Sequence, residues 1–301
     1  MEKLDNITYT EILDIADNEL QKIVGKSMDL VTISQPKDME MAIQLTKVVS
    51  KLSPLLGNLI EFSTIDILNT YCWEDIGKWK RQDPGFPDTT FESMKVVPNP
   101  GIEIKTWFPL STEITARFKD SVKYFADNQI QIALLAWLPE FVFWGKPKII
   151  DVCIVNANSV AKARDLHYHN PPRYLVLEPE DTSSRTANLQ QTNTNGYVIQ
   201  NENQISEATE IMKKYGDNWN KYSENSEYQQ FLKKIFGQYS YRLDTNYAKI
   251  DRIRHTEIEK FKAKVLNTKF QDKTIQEWAT LSAGKDSEQF KKSLEELLKL
   301  Q

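Results

Sequence analysis

The sequence predicts an α/β fold in which a mixed central sheet is flanked by helices, with further helices at both ends of the chain. The first observation is a run of buried-strand patterns. Apolar stretches over 130–138 and 149–156 are followed by a helical stretch over 159–167 and a strand over 174–177. This strand, helix, strand order favours a sheet with some parallel pairing. The second observation is a helical pattern before the first strand and again over 206–301.

The N-terminal part of the chain predicts three helices. Thr8 or Thr10 can cap the first, in which apolar residues recur at helical spacing. Pro36 opens a second helix and Pro54 a third over 55–69, because proline is favoured in the first turn of a helix. Apolar residues occupy most positions around the third helix, so we expect most of its circumference to be buried.

Two short strands follow these helices, and together they carry a group of charged residues. Asp88 lies in the first strand, directly after a proline. In the second strand, alternation places Glu103 and Lys105 on one face and Ile104 on the other. We therefore expect two carboxylates and one ammonium group to converge on neighbouring strands.

A divalent cation would suit this group of side chains. Mg²⁺ prefers oxygen ligands, and one or two carboxylates with phosphate and water form a normal shell. A metal held in this way polarises a phosphodiester, and a nearby lysine can orient the attacking water. At this point, Pro87-Asp88 and, fifteen residues later, Glu103-Ile104-Lys105 resemble the PD-(D/E)xK nuclease superfamily, and within it the type II restriction endonucleases. The resemblance covers roughly residues 55–180.

The resemblance implies a restriction-endonuclease-like sheet and a role for each residue of the motif. Asp88, Glu103 and the Ile104 carbonyl would hold Mg²⁺, and Lys105 would orient the water. The superfamily often supplies a further acidic residue from the preceding helix in a Gly-x-x-x-Glu setting, which here implies Glu61. The alternatives are a surface hairpin with an ordinary ion pair and, for the last residue, an exposed glutamate on the helix.

Several polar segments have side chains suited to DNA. Asparagine and glutamine can bond to adenine, arginine to guanine, and serine or threonine to several base edges. A plain surface loop has the same composition and remains the alternative. The candidate DNA-binding residues are Lys80, Arg81 and Gln82; Ser111, Thr112, Thr115 and Arg117; and Arg185, Asn188, Gln190, Gln191, Asn193 and Asn195.

The helical patterns on either side of the predicted strands indicate an organisation in three parts. We expect an N-terminal helical arm over 1–54, a catalytic core with a polar recognition loop over 55–205, and a C-terminal helical region over 206–301.

No apolar run reaches the roughly 18 residues that cross a bilayer, and the N-terminus lacks a secretory signal pattern. We therefore predict a cytoplasmic, prokaryotic-type intracellular protein without a membrane partner.

The predicted function is that of a type II restriction enzyme, a sequence-specific, Mg²⁺-dependent endonuclease that hydrolyses phosphodiester bonds of double-stranded DNA. A two-fold symmetric DNA site favours a homodimer. One alternative is a repair or recombination nuclease of the same superfamily that recognises DNA structure. The other is a non-enzymatic interaction protein, which the net charge of −4 mildly favours.

Overall fold

The computed structural model covers the N-terminal helices, the central sheet and the last helices of the chain, with gaps in between. The residues that it describes are 7–82, 85–110, 122, 128–169, 175–177, 197–199, 206–207, 209–210, 213–215, 223–230, 233, 241–243, 255–284 and 288–299.

The helices and strands follow one another in a mixed order. The helices are α1 (Tyr9–Gln21), α2 (Met39–Leu68), α3 (Ala157–His169), α4 (Thr256–Asn267), α5 (Ile275–Ala283) and α6 (Glu288–Leu298), with a 3₁₀ turn at Lys213–Tyr215. The strands are β1 (Lys78–Arg81), β2 (Thr89–Glu92), β3 (Gly101–Trp107), β4 (Ile130–Pro139), β5 (Pro147–Asn156), β6 (Leu175–Leu177), β7 (Tyr197–Ile199), β8 (Tyr241–Leu243), β9 (Lys269–Phe270) and β10 (Lys273–Thr274).

The central sheet has five strands in the order β1-β2-β3-β4-β5. β3 and β4 run parallel, and the other neighbouring pairs run antiparallel. The prediction of a mixed sheet with some parallel pairing is therefore confirmed. The strand, helix, strand order that suggested it does not produce the parallel pair, because β6, which follows α3, lies in a separate sheet with β7 and β8. β4 is buried along almost its whole length, as its continuous apolar sequence predicts for a central strand.

Helices cover both faces of this sheet. On one face, Gly57 of α2 lies directly against the side chain of Thr106 in β3. On the other face, the ring of Trp107 packs at 5.9 Å from that of Phe261 in α4. Because neighbouring residues of a strand point to opposite faces, α2 and α4 lie on opposite sides of β3. The predicted α/β architecture with flanking helices is confirmed at this level.

α2 is one continuous helix of 30 residues, so the prediction of two separate helices in this region was wrong. Pro54 lies inside it and cannot donate the backbone hydrogen bond that would reach the Ser50 carbonyl. The Ser53 hydroxyl donates to that carbonyl instead, at 2.9 Å. The expectation of a mostly buried circumference was also wrong, because Leu55 is 58% exposed and Phe62 is 54% exposed.

The start of α1 agrees with the sequence. The hydroxyl of Thr8 accepts from the backbone N–H of Glu11, whose carboxylate accepts from the Thr8 backbone N–H. These reciprocal bonds satisfy two of the donors that a helix N-terminus leaves unpaired. The prediction that Thr8 can cap this helix is confirmed.

The end of α2 fixes the edge of the sheet that carries β1 and β2. The side-chain amide of Asn69 donates to the Trp79 carbonyl at 2.8 Å, and its oxygen accepts from the Trp79 N–H at 2.9 Å. The rings of Trp73, Trp79 and Phe91 pack together, with Phe91 at 4.8 and 5.4 Å from the other two. Large aromatic side chains supply much of the energy of such a core. They hold β1 and β2 in a defined position relative to α2.

The chain divides into two compact units, Met1–Asp165 with Lys249–Gln301, and Leu166–Ala248. The first contains the five-stranded sheet and the last three helices, and the second contains the small antiparallel sheet β6-β7-β8. The uniformly helical pattern expected after residue 206 is interrupted by β8 and by the β9–β10 hairpin. The predicted three-part division remains a prediction.

No helix in the described part of the chain is long and apolar enough to cross a membrane.

Candidate functional site

The candidate site lies where β2 and β3 separate. The two strands pair only through Thr89 with Ile102 and Thr90 with Gly101. At Asp88 the backbone stays with β1, since its carbonyl accepts from the Gln82 N–H at 2.9 Å. Asp88 does not continue the β2–β3 ladder, and its side chain and backbone N–H contact Ile104 and Glu103 of β3 instead.

The structure brings Asp88, Glu103 and Lys105 together, and we refer to these three residues as the charged cluster. Lys105 Nζ lies 2.5 Å from Glu103 Oε1 and 3.4 Å from Asp88 Oδ2. The Asp88 backbone N–H donates to Glu103 Oε2 at 3.2 Å, and Asp88 Oδ2 accepts from the Ile104 N–H at 2.6 Å. Lys105 Nζ also donates to the Ile104 carbonyl at 3.2 Å. Two carboxylates, one ammonium group and one backbone carbonyl therefore lie close together beside β3.

Burial perturbs both ends of the Glu103–Lys105 ion pair. Glu103 is 6% exposed, and burial together with the nearby charge of Asp88 raises the pKa of its carboxyl to about 7, against the opposing effect of Lys105. Burial alone would lower the pKa of Lys105, but the charges of Glu103, Asp88 and Glu61 raise it above its ordinary value. The ammonium therefore stays charged, and it compensates the carboxylates only in part.

Glu61 reaches the neighbourhood of the cluster from α2. Gly57, one turn earlier, is in such close contact with Thr106 that a side chain there would overlap the threonine hydroxyl. The Glu61 carboxylate lies 3.8 Å from the guanidinium of Arg81, which also stacks over the ring of Phe62 at 5.1 Å. Its charge contributes to the raised pKa of Lys105. The helix thus adds a third carboxylate to the electrostatic surroundings of the cluster.

The chemistry of the donors fits a hard divalent cation. Asp88, Glu103 and the Ile104 carbonyl supply oxygen atoms, which Mg²⁺ prefers, and phosphate and water usually complete its shell. Burial is the largest cause of the raised pKa of Glu103, and a bound cation would offset the cost of burying its charge. Within the described residues, no group of three or more histidine, cysteine, aspartate and glutamate side chains is arranged to hold a metal ion. A cation here would therefore depend on two carboxylates and the backbone carbonyl.

The remaining candidate residues divide between the edge of the sheet and segments that the structure does not describe. Lys80 forms an ion pair with Glu92, and Arg81 and Gln82 follow it toward Asp88. The other predicted DNA contacts lie outside the described residues: Ser111, Thr112, Thr115, Arg117, Arg185, Asn188, Gln190, Gln191, Asn193 and Asn195.

Two glycines position the cluster: Gly57, which the Gly-x-x-x-Glu pattern already includes, and Gly101, which was missed as a functional signal. Gly57 allows α2 to touch β3, and Pro87 Cγ fills the space that a side chain on Gly101 would need. The second contact holds the residue before Asp88 against the start of β3. A glycine inside a helix and another at the start of a strand are unfavourable by local propensity, which is a usable sequence signal for close backbone approach.

Comparisons with known proteins give no relative. No family model, no curated protein and no solved structure matches the chain.

Proposed function

We propose that this chain is a Mg²⁺-dependent endonuclease that hydrolyses phosphodiester bonds in double-stranded DNA. The observation that carries the proposal is the convergence of Asp88, Glu103 and Lys105 within 3.4 Å of one another, where β2 separates from β3. An ordinary surface ion pair is exposed and contributes little to stability. Glu103 is instead buried, and burial of a charge is costly unless partners or a metal compensate it.

Each residue of the site has a role in this chemistry. Asp88, Glu103 and the Ile104 carbonyl would hold the cation, which when bound polarises the phosphodiester and acidifies water. Lys105, whose pKa is raised, keeps its proton and donates hydrogen bonds to the attacking water and the developing negative charge. Glu61 and Arg81 form a pair at 3.8 Å that fixes the α2 side of the site.

The finer parts of the proposal rest on the motif and on composition. The resemblance to the PD-(D/E)xK superfamily supports a restriction-endonuclease-like sheet, recognition of a specific sequence, a homodimer and a cytoplasmic enzyme. The Asn- and Gln-rich tract over 182–195 supports base contacts, since these amides can pair with adenine. The five-stranded mixed sheet flanked by helices is compatible with that fold.

The test is digestion of plasmid and phage DNA by the purified protein with Mg²⁺. Discrete fragments should form, and EDTA should prevent them. Asp88→Asn and Glu103→Gln should each lower the cleavage rate by about 100-fold or more, because each removes charge where the cation and phosphate bind. Glu288→Gln is the control, because that exposed carboxylate is paired with Lys291 on α6, outside the charged cluster, and its loss should leave the rate unchanged.

Other outcomes would change the proposal in defined ways. A smear that EDTA abolishes would keep the chemistry and replace sequence specificity with recognition of DNA structure. Intact DNA with both Mg²⁺ and Mn²⁺ across several substrates would reject the nuclease. Calorimetric titration of Mn²⁺ gives a second readout, since Asp88→Asn should weaken binding of the cation and Glu288→Gln should not.

A further inference from the structure

Arg81 forms a loose ion pair with Glu61 beside the charged cluster. The guanidinium lies 3.8 Å from the Glu61 carboxylate and 5.1 Å from the centre of the Phe62 ring. The side chain of Arg81 is 33% exposed, and that of Glu61 is 20% exposed. A separation of this length is too long for a strong hydrogen bond, and a partly exposed ion pair contributes little free energy. An anion with better geometry can therefore take the guanidinium from Glu61.

Glu61 interacts with positive charges on both faces of the sheet. Arg81 is opposite Thr89 in the β1–β2 ladder, which places its side chain on the face that α2 covers. Lys105 shares the other face with Trp107, yet the negative charge of Glu61 also acts on it. The charge of this carboxylate is therefore divided between Arg81 and the charged cluster.

We propose that Arg81 couples the binding of a DNA phosphate to the binding of the cation. Without DNA, the guanidinium holds Glu61 and offsets its charge. A phosphate at the charged cluster takes over the guanidinium, whose planar fork of N–H donors matches two phosphate oxygens. The negative charge of Glu61 is then no longer offset, and it favours a divalent cation beside Asp88 and Glu103. This inference rests on the proposed function, because it requires both DNA and a cation at this site.

Phe62 gives the guanidinium a platform for this exchange. Its ring is 54% exposed and carries Arg81 on its face, which attracts a cation. The N–H donors of a guanidinium lie in its own plane, so the exchange from carboxylate to phosphate leaves the stack in place. Lysine has no planar fork, and Arg81→Lys should therefore keep the positive charge but lose most of the coupling.

Calorimetric titration of Mn²⁺ in the absence of DNA tests the coupling. Arg81→Met should bind Mn²⁺ about three- to tenfold more tightly than the wild type, because the charge of Glu61 is no longer offset. Damage to the fold would have the opposite effect. In a Glu61→Gln background, Arg81→Met should change the affinity by less than about twofold. Lys78→Met is the matched control, because it removes the same charge from the other face of β1 and should leave the affinity unchanged.

Equal gains in the two backgrounds would overturn the proposal, since Arg81 would then act on the cation without Glu61. An Arg81→Met protein that binds Mn²⁺ no more tightly than the wild type would overturn it as well.

Binding of a short DNA duplex in EDTA, followed by fluorescence anisotropy, tests the other half of the exchange without any metal. Arg81→Met should weaken binding of the duplex, and Glu61→Gln should strengthen it because the carboxylate no longer competes for the guanidinium. A wild type that binds neither Mn²⁺ nor the duplex would reject the proposed function and this inference with it. A wild type that binds both, with an unchanged Mn²⁺ affinity in Arg81→Met, would reject this inference alone.

Discussion

Replacing Gly57 with alanine tests the contact that brings α2 to β3. The added Cβ would overlap the Thr106 hydroxyl and lie 3.5 Å from the Thr106 Cβ. The threonine is β-branched and has one stiff torsion, so it has little freedom to move aside. We expect the substitution to push the helix away from the strand, and with it the Glu61 carboxylate one turn further on.

The expected change in the free energy of unfolding follows from two opposing effects. Overpacking a close contact costs about 1–3 kcal/mol, whereas alanine in place of glycine inside a helix contributes about 1 kcal/mol of stability. Gly57→Ala should therefore lower the free energy of unfolding by about 0–2 kcal/mol. Adding Thr106→Ala removes the overlapping hydroxyl, and the double variant should recover that loss. The coupling energy between the two substitutions should then be about 1–3 kcal/mol.

Urea unfolding of the wild type, both single variants and the double variant measures this coupling, with tryptophan fluorescence and circular dichroism as probes. Plasmid cleavage should fall in Gly57→Ala and return in the double variant. If Gly57→Ala alone stabilises the protein by about 1 kcal/mol, as at an unhindered helix position, α2 does not approach β3 as described. The position of Glu61 beside the charged cluster would then be wrong as well.

Three further predictions concern single side chains. Lys105→Met should abolish cleavage and raise the pKa of Glu103 above about 7, measured by plasmid digestion and by NMR titration. Burial raises the pKa of Asp17 to about 7 from 3.8, so the wild type should lose stability as the pH rises from about 4 to 7 and no further above that. Asp17→Asn should remove that loss. After allowance for the partial exposure of Asp17, urea unfolding should show a gain in the free energy of unfolding of about 1–2 kcal/mol at pH 8 and much less at pH 5. Ser53→Ala should cost about 1 kcal/mol of thermal stability, because the Ser50 carbonyl loses its donor.

The features that the sequence predicted well depend on local periodicity. The alternation in β3 placed Glu103 and Lys105 on one face, and their side chains are in contact. The capping pattern at Thr8 defined the start of α1. In both cases the interacting groups lie within three residues of each other, so short-range geometry decides the outcome.

The features that it did not predict depend on distant contacts. Local preference places Pro54 at the start of a helix, and a single hydroxyl on Ser53 provides the bond that lets α2 continue. The apolar character of Leu55 and Phe62 indicated burial, yet composition does not show which side of a helix its neighbours cover. The approach of Glu61 to Lys105 requires the contact of Gly57 with a strand about fifty residues later.

The continuity of α2 has a mechanical consequence. A helix of 30 residues is about 45 Å long, and the Ser53 hydroxyl gives the Ser50 carbonyl the donor that Pro54 lacks. Asn69, at the end of this helix, holds β1 through both backbone groups of Trp79. One continuous helix therefore connects Met41 to the edge strand of the sheet, and we expect a displacement of α2 to shift β1 and, through the bond between Gln82 and Asp88, the charged cluster.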